Sequence, residues 1–345
     1  MKKPVTICLI IAGFLMATLA YAGQDIKVRV NGGMLHGTIE IPSGEVPCPV
    51  ALIISGSGPT DRDGNNPLMG GKNNSLKLLA EALASNGIAS VRYDKRGIGE
   101  SAQAMTKEED LRFETYIEDA VVWGKELQKN KQFSQVAIIG HSEGSLIGLV
   151  ACQKMNADAF VSIAGAGIPA SNLFLSQLKL KLPKDLFENA ETIIDQLNLG
   201  KAADPVPPTL NALFRKSVQP YLISWFRYNP AKEVSKLKIP ILIVHGSTDI
   251  QMDIDNANVL AKSNGLAKQT TINGMNHILK KVSDNLQEQI SSYGDPSLPI
   301  AEELVEEITT FMMSVETTRP NRVRGSLSLP LPTPPGKRVR TGRFT

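Results

Sequence analysis

Five short runs in this 345-residue chain are apolar along most of their length: "PVALIIS" (residues 49–55), "GIASVRY" (87–93), "QVAIIG" (135–140), "AFVSIAG" (159–165) and "PILIVHG" (240–246). A strand with one face in water alternates polar and apolar residues, so runs of this kind predict strands covered on both faces. Between them lie helical patterns, "SLKLLAEALASNG" (75–87) and "ETYIEDAVVWGKELQKN" (114–130) among them. Such alternation implies an α/β fold with a mostly parallel central sheet flanked by helices, and function then collects beyond the carboxyl ends of the strands. "DIKVRV" and "GMLHGTIEI", joined by Asn31-Gly32-Gly33, add an edge hairpin. "AKQTTI" (267–272) is a weaker strand, and a last helix is expected from about Pro299 to Met313.

One interval breaks the alternation. Residues 168–235 hold helix-like segments with Leu173, Phe174, Leu178, Leu180, Phe187, Leu197, Phe214, Leu222, Trp225, Phe226 and Tyr228. An excursion this rich in apolar and aromatic side chains reads as a helical cap inserted into a core formed by residues 23–167 and 236–317. The alternative is a satellite that merely packs on the sheet. The second half of the insertion, with Leu222, Trp225, Phe226 and Tyr228, is expected to line a substrate pocket.

The run at 135–140 continues directly into Gly140-His141-Ser142-Glu143-Gly144, after which a helix is expected to about Met155. A strand, then G-x-S-x-G, then a helix is the signature of a serine held on a sharp turn and exposed for attack on an acyl carbon. A hydroxyl is a poor nucleophile near neutral pH, so Ser142 requires an imidazole to take its proton and a carboxylate to orient that imidazole. The chain has four histidines. His36 lies on the hairpin, His141 belongs to the turn and points away from where Ser142 must point, and His245 closes a strand and serves the turn after it. His277, in "INGMNHILK" after the last strand, is left as the base. Asp249, just beyond the strand at 240–245, is the orienting acid, whereas its nearest competitor Asp253 falls in the following helix. The order Ser142, Asp249, His277 is one of the three chain orders of this triad.

Attack places negative charge on the substrate oxygen, which backbone N–H groups fixed in advance stabilise. Glu143 supplies one such donor. The glycine-rich loop "SGSGPTDRDGN" (55–65) supplies the second, from Ser57 with Gly58 as alternate; Gly58 also counts as a pocket residue. Asp61, Arg62 and Asp63 would fix that loop by ion pairs and Asx turns. The loop lacks the Gly-Lys-Ser/Thr ending of a phosphate-binding loop.

"SGSGPTDRDGN", "RYDKRGIGES" (92–101), "GHSEGS", "HGSTD" and "GMNH" together make residues 25 to 315 resemble the α/β-hydrolase superfamily, close to its branch of exported bacterial esterases and serine aminopeptidase-like hydrolases. The resemblance implies Ser142 as nucleophile, Asp249 as acid, His277 as base, and Ser57 with Glu143 as oxyanion donors. It also makes "RYDKRGIGES" a turn that buttresses the elbow, with Asp94 and Arg96 structural. Ser55 departs from the histidine that many relatives carry before the oxyanion glycine. The expected activity is hydrolysis of a small-molecule acyl ester, without metal or organic cofactor. Thioesters, lactones and cell-wall or plant-derived acyl esters are equally open as substrates, and two rivals stay open. An aminopeptidase would need a carboxylate for the substrate ammonium, for which Glu143, Asp61 and Glu188 are candidates. A non-catalytic binding protein could also carry this fold.

The ends of the chain carry a separate message. Residues 1–22, with Lys2 and Lys3, an apolar stretch and Ala20-Tyr21-Ala22, read as a secretory signal cleaved before Gly23; the apolar segment is short for a retained transmembrane helix. Export to the periplasm or medium of a bacterium follows. Residues 318–345 hold seven Arg or Lys and no acid, and read as a disordered tail or an artefact of cloning. Without these ends the formal charge of +3 becomes about −6, so the basic balance is no evidence for nucleic-acid binding. Cys48 and Cys152, all that the mature chain keeps, are expected as free or buried thiols, with a single disulfide open in an oxidising compartment.

Overall fold

The computed structural model describes residues 23–44, 46–105 and 107–317. The leader at 1–22 and the tail at 318–345 lie outside the described residues. An eight-stranded sheet runs in the order β1-β2-β4-β3-β5-β6-β7-β8. β1 (Gln24–Val30) and β2 (Gly33–Glu40) form the antiparallel hairpin, and β2 pairs antiparallel with β4 (Ala89–Tyr93). β3 (Cys48–Ile54), β5 (Phe133–His141), β6 (Ala159–Ile163), β7 (Ile241–Gly246) and β8 (Ala267–Ile272) run parallel with β4. This is the α/β-hydrolase fold.

The apolar strands divide by the pleat. Val50, Leu52, Ile54, Val136, Ile138, Ile241 and Ile243 face one core, shared with α2 (Phe113–Lys129) and α3 (Glu143–Met155). Ala51, Ile53, Ala137, Ile139, Leu242 and Val244 face the other, covered by α1 (Ser75–Ser85) and the last helix. Period two inside a run with no polar residue is why both faces are dry. Burying each large side chain contributes roughly 1.5–3 kcal/mol. β8 is the exception, with Lys268, Gln269 and Thr271 exposed, as its weak sequence signal anticipates for an edge strand.

Between β6 and β7 the chain leaves the sheet and builds α4 (Ala170–Lys181), α5 (Lys184–Asn198), α6 (Asn211–Phe214), α7 (Gln219–Phe226) and α8 (Pro230–Val234). Tyr221 and Trp225 of α7 join Phe113 of α2, and Phe174 of α4 packs edge-on against Trp225 at 5.7 Å, so this insertion sits on the same core as the sheet. α9 (Ile254–Lys262), α10 (Leu286–Ser292) and α11 (Glu302–Thr317) complete the chain. α11 begins three residues after the expected start and continues past Met313. Cys48 and Cys152 are both buried and are not joined in a disulfide; burial pushes the Cys152 thiol up. No helix among the described residues is long and apolar enough to cross a membrane.

Phe160, fully buried in β6, lies over Gly148 of α3 where a large side chain has its place only because glycine leaves the space. Phe160→Ala is expected to cost roughly 3–5 kcal/mol, read as a lower urea midpoint at unchanged slope.

Candidate active site

The elbow is built by backbone proximity. A methyl on Gly140 would stand 2.3 Å from the Gly144 carbonyl oxygen and 2.5 Å from Ser145 Cα; one on Gly144 would stand 2.3 Å from the Ile54 carbonyl oxygen. Only glycine fits at either place. Between them Ser142 takes φ 54°, ψ −120°, a conformation that a non-glycine residue adopts at a cost of order 1–3 kcal/mol. Its N–H donates to the Ile163 carbonyl at 2.9 Å, and its carbonyl accepts from Ser145 N at 3.0 Å, which starts α3. Gly56 of the loop after β3 faces Ser142, with its absent Cβ 3.2 Å from Ser142 Cβ.

Asp249 and His277 arrive from two loops beyond β7 and β8. Ser247 N donates to the Ile272 carbonyl at 3.0 Å and Thr248 N to the Met275 carbonyl at 3.2 Å, which ties the loops together. His277 Nδ1 donates to Asp249 Oδ2 at 2.8 Å, while Asp249 Oδ1 accepts from the amides of Gln251 (2.8 Å) and Met252 (2.9 Å). Burial alone would raise the Asp249 carboxyl. The charge and hydrogen bond of His277, with those two amides, outweigh it and hold the carboxyl below its ordinary value. Asn276 shapes the histidine loop, its Oδ1 accepting from Ile278 N and Lys280 N and its Nδ2 donating to Ser292 Oγ. Asp253 instead caps α9, accepting from Asp255 N.

The other histidines have local partners. His245 Nε2 donates to the Met252 carbonyl at 2.9 Å. His36 sits on the hairpin near Glu100. His141 Nε2 donates to the His277 carbonyl at 2.8 Å, with the two rings 4.9 Å apart, so it braces the loop of His277 from beneath.

Ser142, His277, Ser57 and Gln251 border two adjoining hollows. One lies under the insertion and is lined by Leu146, Leu173, Phe174, Gln177, Trp225 and Met252, with Glu143 at its edge; its empty volume is about 620 Å³. The other, about 400 Å³, is lined by Thr60, Asn66, Asn73, Tyr293 and Gly56. Of the four residues of the second half of the insertion expected at a pocket, one borders the first hollow. Trp225 lines it, but Leu222 is buried away from it, Phe226 packs on Phe174 at 5.8 Å, and Tyr228 packs on Phe113 at 5.2 Å with its hydroxyl toward Glu114. α4, the first helix after β6, supplies Ala170, Leu173, Phe174 and Gln177 to this wall. Gly58 lines neither hollow; it turns the loop at φ 67°.

The charged residues of the two motifs pair with one another and with Glu40 of β2 and Asp119 of α2. Asp94 accepts from Arg62 N and Nη2 (both 2.8 Å), Arg92 bonds Asp63 and Glu40, and Arg96 forms a two-pronged pair with Asp119. Asp61 Oδ1 accepts from Asp63 N and Asn65 N in an Asx turn. Ser55 is buried, its hydroxyl 3.3 Å from the Thr60 carbonyl. Sequence reasoning left out Lys95, whose Nζ lies 3.0 Å from Glu143 Oε2, and Tyr221, whose hydroxyl donates to Glu143 Oε1. A lysine inside an otherwise recognisable charged turn was the available signal for the first; Tyr221 left none.

Known proteins resemble this chain in sequence and in fold. A sequence family described as Serine aminopeptidase, S33 matches residues 69–213. Esterase EstD of Thermotoga maritima is 29% identical over 279 residues, 80% of this chain and 62% of that protein, so the chain spans less than two thirds of this curated relative. Among solved structures, Est1E from Butyrivibrio proteoclasticus superposes with a TM-score of 0.57 at 18% identity, over 86% of this chain and 100% of that one. Proline iminopeptidase of Mycobacterium smegmatis does so with a TM-score of 0.56 at 11% identity, over 85% and 99%. At these identities the structural likeness is one of fold.

Burial, then the neighbouring His277, push His141 from 6.5 down to about 3. The unfolded chain thus takes up a proton that the folded chain refuses, and stability is lost as pH falls from about 6.5 toward about 3. His141→Gln, which has nothing to protonate, is expected to lose less stability over that window in urea titrations at stepped pH.

Proposed function

We propose that this chain, which has the α/β-hydrolase fold and matches the Serine aminopeptidase, S33 family over residues 69–213, is a serine carboxylic ester hydrolase acting through an acyl-enzyme on small to medium hydrophobic acyl esters. The observation that carries the reading is the His277 to Asp249 hydrogen bond, with His277 and the strained Ser142 bordering the same hollow. Asp249 fixes the tautomer: with Nδ1 donating to its carboxylate, Nε2 is left as the acceptor. Ser142 Oγ attacks the ester carbon as Nε2 takes its proton, and the oxygen that becomes negative is held by the N–H groups of Ser57 and Glu143. The tetrahedral species collapses, the alcohol leaves with the proton from His277, and water repeats the sequence on the acyl-enzyme.

The apolar wall of Leu146, Leu173, Phe174 and Trp225 supports a hydrophobic group under the insertion. The aminopeptidase reading is disfavoured by the state of its three candidate carboxylates. Glu143 is bonded to Lys95 and Tyr221, Asp61 to its own loop, and Glu188 is exposed on α5 within 3.8 Å of Lys184. Glu143 and Asp61 are thus already engaged, and Glu188 borders neither hollow. The retained constellation of Ser142, Asp249 and His277 argues against a purely binding role. Export, proposed from residues 1–22, would place the activity in the periplasm or the medium.

Hydrolysis of p-nitrophenyl esters from acetate to laurate, measured beside aminoacyl p-nitroanilides, tests the reading. Ester turnover is expected, with Ser142→Ala lowering kcat by roughly 10⁴-fold or more. Amide turnover alone would favour the aminopeptidase. Asp249→Asn is expected to lower kcat by about 10⁴-fold with the fold intact, since the wrong tautomer then faces the serine.

A further inference from the structure

We infer that Lys95 is a positioning residue that braces the two halves of the oxyanion site against each other. The inference rests on the reading of Ser57 and Glu143 as the backbone donors. Those donors come from segments far apart in the chain, the loop after β3 and the turn after β5. The Lys95 side chain, only 1% exposed just beyond β4, reaches both: its ammonium donates to the Gly56 carbonyl, immediately before Ser57, and to Glu143 Oε2 at 3.0 Å. Its third side faces the Tyr116 ring, 5.1 Å from the centroid. Every bonding direction of the ammonium is thus directed to a group that is itself fixed.

The partners are held independently. Thr60 Oγ1 donates to the Ser57 carbonyl at 2.7 Å, and Tyr221 of α7 donates to the other Glu143 oxygen. Glu143 is therefore gripped by its carboxylate from both the motif after β4 and the insertion, while its N–H stays available to the substrate. Lys95 also removes an electrostatic fault. A carboxylate on the residue whose N–H must stabilise a developing oxyanion would oppose that charge, and in a dry site the opposition is strong. The ammonium cancels it. A buried ion pair contributes little net stability compared with an apolar replacement, so geometry and charge balance at the donor are the physical use of this one.

The test is the rate at which a p-nitrophenyl alkylphosphonate modifies Ser142, followed by mass spectrometry. The reaction forms the Oγ–P bond, releases p-nitrophenolate, passes the serine proton to His277 and seats the phosphoryl oxygen in the oxyanion site. It needs no ester turnover. Lys95→Met is expected to react roughly 10- to 10²-fold more slowly than the parent, with kcat for p-nitrophenyl acetate falling in parallel at nearly unchanged KM. Lys95→Met/Glu143→Gln restores charge balance without the brace and is expected to remain slow; it also carries the comparison if Lys95→Met alone does not fold. A folded Lys95→Met that reacts at the parental rate overturns the inference, as does full recovery in the double variant, which would reduce Lys95 to a counterion. A parent chain that is not labelled at Ser142 at all would overturn the serine-hydrolase reading itself, and the brace with it.

Discussion

The approach of α3 to the ends of β3 and β5 leaves room for no side chain at Gly140 or Gly144, and the active-site geometry follows from that contact. With the helix driven this close, the chain can only turn by placing Ser142 at φ 54°, which lifts its side chain out of the sheet. The same turn sets Ser142 at the N-cap of α3, where the positive end of a 13-residue helix favours negative charge. Strain at one residue is sustained because the two buried cores on either side of the sheet resist its release.

Around the elbow the protein buries charge and then pairs it. Arg62 with Asp94, Arg92 with Glu40, Arg96 with Asp119 and Lys95 with Glu143 form a layer between the sheet ends and the loops that carry the chemistry. Any one of these ions left alone would cost several kcal/mol. Paired, they set distances between loops that apolar packing, being non-directional, would leave loose. The insertion joins this layer through Tyr221 and closes the hydrophobic side of the hollow with Phe174 and Trp225, so the apolar wall and the turn at Glu143 share one aromatic cluster.

Much of this was legible in the chain. The apolar runs announced the buried parallel strands because burial on both faces leaves no polar position to disguise them, and G-x-S-x-G announced the elbow because its glycines are sterically obligatory. The structure places His277 and Asp249, reached by excluding the other histidines and by position beyond a strand, in hydrogen-bond contact. Leu222, Phe226 and Tyr228 were harder to place, because aromatic and aliphatic residues signal burial without saying what they are buried against. They pack on the core, and the pocket wall falls to Leu173 and Phe174.

Sequence alone determined the strand and helix alternation and the strand-turn-helix setting of Ser142, since these depend on local spacing and on residue chemistry. Tertiary structure decided which loop faces which: that Lys95 reaches both Gly56 and Glu143, that His141 supports His277 across 136 residues, and that α4 rather than the end of α7 supplies most of the pocket wall. The physical reason is that such contacts are between groups distant in the chain, and their distances are set by how the two cores pack, which no single stretch of residues encodes.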